Sequence, residues 1–262
     1  MPLPPPLKDL AKQALPLSAL RWAQRALSPE RALDLAAELP SGVRVSVRDR
    51  SDWVVYTDVF VGGEYDGPIA AALEGRPEDR PLRVLDLGAN VGFFTLRLFD
   101  RARERGVPDG AVRATLVEGS PRTVRALRER VLDSGVPAAS VSVVHGLVGR
   151  RSGTGHLTQN RSSGMSNVLS GRALAAPVPF VDLDRVAGDG PIDLVKCDVE
   201  GAEEMFAEAY GGLLGRTERA VFEFHPLLCD VGRCKRLIAE AGLVHETVLR
   251  RHPEFEVTSF HR

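Results

Sequence analysis

Cysteine is scarce in this chain: its 262 residues carry three, Cys197, Cys229 and Cys234. Their spacing fits no zinc pattern, and an odd count builds no disulfide framework. Cys197 lies in an apolar run, where cysteine acts as a small hydrophobe. A surplus of one charge is also missing. The formal net charge is −1, which supplies no overall pull toward nucleic acid or an anionic membrane. Arginines gather at 101–105 and 122–130, but glutamates interrupt them at helical spacing, the pattern of solvated faces. No apolar run reaches membrane-spanning length. Met1-Pro2-Leu3-Pro4-Pro5-Pro6 lacks the charged head and apolar middle of a secretory leader. The expected compartment is the cytoplasm, with neither nucleic acid nor membrane as partner.

What the chain does have is a composition of soluble globular type and one organising stretch, Arg83 to Leu96. Val84 to Leu87 suits a buried strand, a loop of small residues follows, and Phe93, Phe94, Leu96 and Leu98 suit the inner face of a helix. A dinucleotide loop would read G-x-G-x-x-G. Here Asn90 stands where the middle glycine belongs, and no third glycine follows at the required spacing. Asp86 at the loop's mouth would repel a phosphate and suit a cation. S-adenosylmethionine, with a sulfonium, an ammonium and no phosphate, fits that pattern. The candidate contacts are Asp86, Gly88, Ala89, Asn90, Gly92 and Phe93.

The remaining chain alternates strand and helix signals. Residues 1–42 read as a helical appendage, with Ser28-Pro29 as a helix start. This appendage would cover the acceptor side, make a homodimer contact, or simply pack. Residues 43–262 read as the main domain. Strands are expected around Val43 to Val47 and Trp53 to Val61. Gly62-Gly63 before Glu64 and Tyr65 is a candidate ligand-facing turn. The second core strand ends at Glu118, placed to accept both ribose hydroxyls, with Gly119 and Ser120 beside it. The third ends at His145 and Gly146, near an adenine. Residues 150–176 read as a mobile loop or irregular hairpin. A fourth strand runs into Lys196-Cys197-Asp198-Val199-Glu200-Gly201, a fifth into Glu223-Phe224-His225, and a final hairpin closes the chain. The expected fold is α/β, a Rossmann-like doubly wound, mainly parallel seven-stranded sheet.

Three pieces, in this order and separation, resemble the FkbM-type S-adenosylmethionine-dependent methyltransferases: Phe60-x-x-Gly63-Glu64-Tyr65, Leu85-Asp86-Leu87-Gly88-Ala89-Asn90-Val91-Gly92, and Lys196 to Glu203. The resemblance spans roughly residues 50–230 and implies O-methylation of sugars or natural-product hydroxyls. Two departures are Cys197 in place of an aliphatic residue and Gly119-Ser120-Pro121 after Glu118 in place of a directly following proline.

An alcohol acceptor needs its proton removed, by a general base or through a divalent cation. Asp198, Glu200, Glu223 and His225 should converge at the carboxyl edge of the sheet. One expectation makes His225, Asp198 or Glu200 the base. The other has Asp198 and Glu223 hold Mg²⁺. A third, structural reading makes Lys196, Asp198 and Glu200 a charge network at a helix start. Asp198 would also face the cofactor. The expected partner is a small hydroxylated molecule; the alternatives are N-methylation of a small amine or amide and a nonenzymatic S-adenosylmethionine-binding scaffold.

Overall fold

The computed structural model describes residues 35–159, 166–167 and 176–262. The first core strand β3 (Leu82–Leu87) and its neighbours β4 (Val112–Glu118), β5 (Val141–His145), β10 (Leu194–Cys197) and β11 (Arg219–Phe224) run parallel. They follow two short strands, β1 (Leu35–Glu38) and β2 (Arg44–Val47). Between β5 and β10 the chain forms small pieces: β6 (Thr154–Gly155) pairs with β9 (Val178–Pro179), and β7 (Thr158–Gln159) with β8 (Ser166–Asn167). β12 (His245–Arg251) and β13 (Glu256–His261) complete the sheet in the order β12-β13-β11-β10-β3-β4-β5. β13 is antiparallel to both of its neighbours. This is the seven-stranded, mainly parallel doubly wound sheet that the strand and helix alternation predicts.

Alternation along the strands supplies a core on each face. Leu82 and Val84 join Ile69, Phe94, Leu96 and Leu127 on one side, while Leu85 and Leu87 join Leu183, Phe206, Leu213 and Ile238 on the other. Side chains cap the flanking helices as their sequences suggest. Ser120 accepts from the Thr123 amide at 3.3 Å, with Pro121 in the first helical turn. Asp182 and Asp230 cap the helices Leu183–Ala187 and Val231–Glu240 in the same way. Strand order reverses between β3 and β10, so a crevice opens beyond their carboxyl ends.

The structure corrects two expectations before the first core strand. Leu35–Glu38, expected within a helical appendage, is a strand, because its backbone pairs antiparallel with Arg44–Val47. The Ser28-Pro29 helix start and the rest of residues 1–34 lie outside the described residues. Trp53 to Val61, expected as a strand, is helical: Arg50–Tyr56 continues into a π turn over Thr57–Val61. Asp49 caps this helix by accepting from the Asp52 amide at 2.9 Å. Trp53, Tyr56 and Phe60 recur at helical spacing, and Tyr56 and Phe60 both meet Phe93 edge-on.

A buried ion pair fastens this helix to the helix Pro121–Asp133. Arg130 donates to Asp52 and, at 3.1 Å, to the Ser46 carbonyl; both side chains are buried. Removing one partner leaves the other charge uncompensated, so Asp52→Ala should lose about 3–5 kcal/mol. Adding Arg130→Met should recover most of that loss. Urea denaturation of the two variants checks both outcomes.

Candidate functional site

The carboxyl ends of β3, β4, β5 and β10 open onto a cleft whose empty space, about 710 Å³, includes its open solvent mouth. Of the expected residues, Gly88, Asn90, Glu118, Gly119, Ser120, Gly146, Asp198 and Glu200 line it. Gly88 is required for its closure. Its φ is +72°, and a Cβ there would stand 1.7 Å from the Asp198 carbonyl oxygen, so only glycine lets the two loops touch. Asn90 also takes a left-handed backbone, φ 50°, which asparagine tolerates.

Glu118 is held before any ligand arrives. The Asn90 amide donates to one carboxylate oxygen at 2.9 Å and the Ser120 amide to the other at 2.8 Å. Burial raises its pKa, and those two amides work against the rise. Each oxygen keeps a lone pair. Leu147, Val148, Leu157, Val117 and Val199 supply apolar walls nearby.

Several expected contacts stand elsewhere. Asp86 does not line the cleft: it is wholly buried, accepts from the Thr95 hydroxyl at 2.8 Å and lies 3.7 Å from the Lys196 ammonium. Burial pushes its pKa up while Lys196 opposes the rise. Phe93 and Ala89 are buried in the core, and Gly92 caps the helix Phe93–Glu104. Glu64 pairs with Arg250 at 2.7 Å. Tyr65 is buried against Phe94 and donates to Glu223 at 3.4 Å. His145 is exposed, with its Nε2 3.0 Å from the Gly119 carbonyl.

Behind the cleft wall lies a network of charges. Lys196 donates to the Gly88 carbonyl at 2.7 Å and to Asp198 at 3.2 Å. Burial would lower its pKa, but Asp198 and Asp86 raise it instead, so the ammonium stays charged. His225 lies with Nδ1 3.0 Å from Glu203 and Nε2 3.4 Å from Glu200. Burial would lower the imidazole pKa, yet the hydrogen bond to Glu203 and the charges of Glu203, Asp198 and Glu200 lift it from 6.5 to about 10. An imidazole lifted this far holds its proton at neutral pH, a state suited to pairing with Glu200 and Glu203.

Burial and the Asp198 charge raise Glu200 to about 7, close to the operating range of a base. Its backbone is left-handed at φ 53°, a strained conformation for a glutamate that costs about 1–3 kcal/mol. Burial and the charge of Asp198 also push the Glu223 pKa well above the usual carboxylate range.

The cluster counts Glu64, Asp86, Asp198, Glu200, Glu203 and Glu223 against the cations Lys196, His225 and Arg250. One buried oxygen of Asp198 has no hydrogen-bond partner, an acceptor awaiting a cationic or donating group. The pair expected for Mg²⁺ is not what the fold gathers. Asp198, Glu200 and His225 lie within 4.8 Å of one another, without Glu223. The imidazole sets this group apart from the all-oxygen surroundings that Mg²⁺ favours.

Sequence reasoning missed Ser51 and Thr123 on the cleft wall, and it missed the Glu203–His225 pair. Ser51 was hidden by reading its helix as a strand. The Thr123 signal was its place one turn after Ser120-Pro121, and that of Glu203 its place closing the Lys196 to Glu203 motif.

No family model matches the chain, and no curated protein does. Among solved structures it is similar to the methyltransferase FkbM from Methylobacillus flagellatus KT, at 14% identity over 69% of this chain, with a TM-score of 0.48. The chain spans 44% of that protein's length. It is also similar to a SAM-dependent methyltransferase from Agrobacterium tumefaciens, at 14% identity over 90% of this chain and 72% of the other, TM-score 0.47. Magnesium protoporphyrin IX methyltransferase from Synechocystis PCC 6803, with bound SAM, gives 15% identity over 79% and 83%, TM-score 0.45. Among the described residues, no helix is long and apolar enough to cross a membrane.

The raised His225 pKa has a measurable consequence for stability. The folded chain binds this proton more tightly than the unfolded chain, so the contribution is complete below 6.5 and drains as pH climbs to about 10. Urea midpoints of the wild type should fall between about pH 7 and pH 9.5. His225→Gln should be less stable at neutral pH and nearly flat across that interval. A wild-type slope no steeper than the variant's would refute the assignment.

Proposed function

We propose that this chain is an S-adenosylmethionine-dependent methyltransferase acting on a hydroxyl group of a small molecule, as its resemblance to FkbM-type enzymes implies. The observation that carries the reading is the Glu118 carboxylate, fixed by two backbone amides on the wall of a cleft whose floor is rich in acids. Its free lone pairs suit a ribose diol. The acidic strand ends disfavour a phosphate and favour a cation, and the unpartnered Asp198 oxygen suits the donor's positively charged end. When bound, S-adenosylmethionine supplies a methyl group made electrophilic by its sulfonium.

The chain's own residues then align and deprotonate the acceptor. Positioning in a fixed cleft contributes on the order of 7–11 kcal/mol. Glu200, at the cleft wall with its pKa near 7, accepts the hydroxyl proton. Protonated His225, 3.4 Å away, holds the Glu200 carboxylate and stabilises its ionised form. Glu203 in turn orients the imidazole through Nδ1. Asp198 and Glu223 are not assigned a metal, and no step here runs through one.

Titration calorimetry with S-adenosylhomocysteine tests the donor site. The wild type should bind, and Glu118→Ala should weaken binding by roughly ten- to a hundredfold, as expected for losing a hydrogen-bonded charged partner. Absence of wild-type binding would overturn the reading, and binding without turnover on any hydroxylated acceptor would favour a scaffold. For the chemical step, kcat/KM should rise with pH through an apparent pKa near that of Glu200, about 7. Glu200→Gln should abolish that limb and slow turnover by about 10²–10⁴. A variant that keeps the full pH profile would rule Glu200 out as base.

A further inference from the structure

The opposite end of the sheet carries a second feature, independent of the methyl-transfer reading. Arg83 and Arg113 are direct register partners on the neighbouring parallel strands β3 and β4. Partnered positions project from the same face of a sheet, and like charges set side by side there are destabilising. Both residues line one depression of about 260 Å³, floored by Leu85, Thr115, Ala187 and Ile192.

Among the described residues neither guanidinium is paired with a carboxylate; Asp193 accepts from the Arg83 backbone amide instead, at 2.7 Å. Arg83 donates to the Ala187 carbonyl and, at 3.0 Å, to that of Pro191. Arg113 donates to the Val112 carbonyl at 3.1 Å and to the Ser140 hydroxyl at 3.3 Å. Carbonyls satisfy the N–H groups without cancelling the charge.

The surrounding acids are taken or turned away. Asp193 is gripped by Arg80 at 2.7 and 2.8 Å, and Asp184 is shared by Arg151 and Arg216. Asp189 is exposed and pairs with neither lining arginine. Burial pushes the Arg83 pKa down, Arg216 and Arg80 add to that push with their positive field, and Asp193 opposes it. The loop is shaped to this guanidinium, since a Cβ on Gly190 would stand 2.3 Å from an Arg83 terminal nitrogen.

We propose that this depression is a binding site for a phosphoryl-type oxyanion, held between the Arg83 and Arg113 guanidiniums at the amino edge of the sheet. Guanidinium forks match the oxygen spacing of a phosphoryl group. The apolar floor of Leu85, Ala187 and Ile192 gives the body of an organic phosphate a surface to lie on. The site lies at the amino ends of β3 and β4, and the candidate methyl-donor cleft lies at their carboxyl ends, so the two bind their ligands separately.

Titration calorimetry on the full chain with inorganic phosphate and with glucose 6-phosphate, each against sodium chloride of matched ionic strength, tests the site. Wild type should bind at least one of the two beyond the chloride control. Arg113→Gln, whose side chain is exposed, should weaken that binding by about tenfold, the loss of one charge-assisted contact. Arg113→Lys should fall between, and Arg122→Gln, on a different exposed surface, should bind as wild type. Tighter binding of the sugar ester supports the site with an organic phosphate as its ligand, and equal binding supports it with the free anion. S-adenosylhomocysteine affinity should be unchanged in Arg113→Gln and the unfolding midpoint no lower than in the wild type, since a like-charge pair is relieved, which separates this site from the cleft and from misfolding. Binding no stronger than the chloride control, or unaltered by Arg113→Gln, would overturn the proposal.

Discussion

A single buried ammonium holds the two halves of this fold in register. Lys196 stands directly across the strand pair from Asp86, donates to Asp198 at 3.2 Å, and is buried. Its third contact, to the Gly88 carbonyl, ties the loop after β3 to the strand that returns from the other side of the sheet. The close approach of Gly88 to the Asp198 backbone depends on that tie. A charge buried between two carboxylates adds little net stability by itself. Its role is to make one loop arrangement the only one in which every charge has a partner.

From this junction the division of labour among the acids follows. Asp86, farthest from water, neutralises Lys196 and belongs to the frame. Glu203, equally buried, serves His225. Only Glu118, Asp198 and Glu200 among these carboxylates reach the cleft. Their surroundings separate their roles: Glu118 is fixed by amides, Asp198 is partly paired with Lys196, and Glu200 is held near neutrality on a strained backbone. Environments that set similar groups apart in this way are a mark of acid and base chemistry.

The sheet was legible in the sequence because each core strand is a short β-rich run bounded by a turn, and several flanking helices open on a cap such as Ser120, Asp182 or Asp230. The cleft was legible for the same reason, since strand ends converge once the topology is known. What failed was any judgement that depended on depth. Asp86 and Glu118 both end apolar strands, and nothing local distinguishes a carboxylate that turns inward to a lysine 110 positions later from one that faces the cleft. The pairing of His225 was hidden because its partner Glu203 lies on another element. Trp53 to Val61 failed differently: aromatic and β-branched residues favour strands locally, and the packing of Tyr56 and Phe60 on Phe93 overrode that preference.

The order of the last strands constrains how the molecule reaches its final state. β13 follows β12 in the chain yet lies between β12 and β11. β12 therefore has no sheet to join until β13 has been made and has docked on β11. The two pair locally as a hairpin, a structure of a kind that assembles in about 1–10 μs, and of the two only β13 makes the long-range pairing to β11. Until that pairing forms the edge of β11, with Phe222 and Phe224 beside it, is open to any passing strand. Folding intermediates of this chain are thus most vulnerable to association at the end of the sheet farthest from β5.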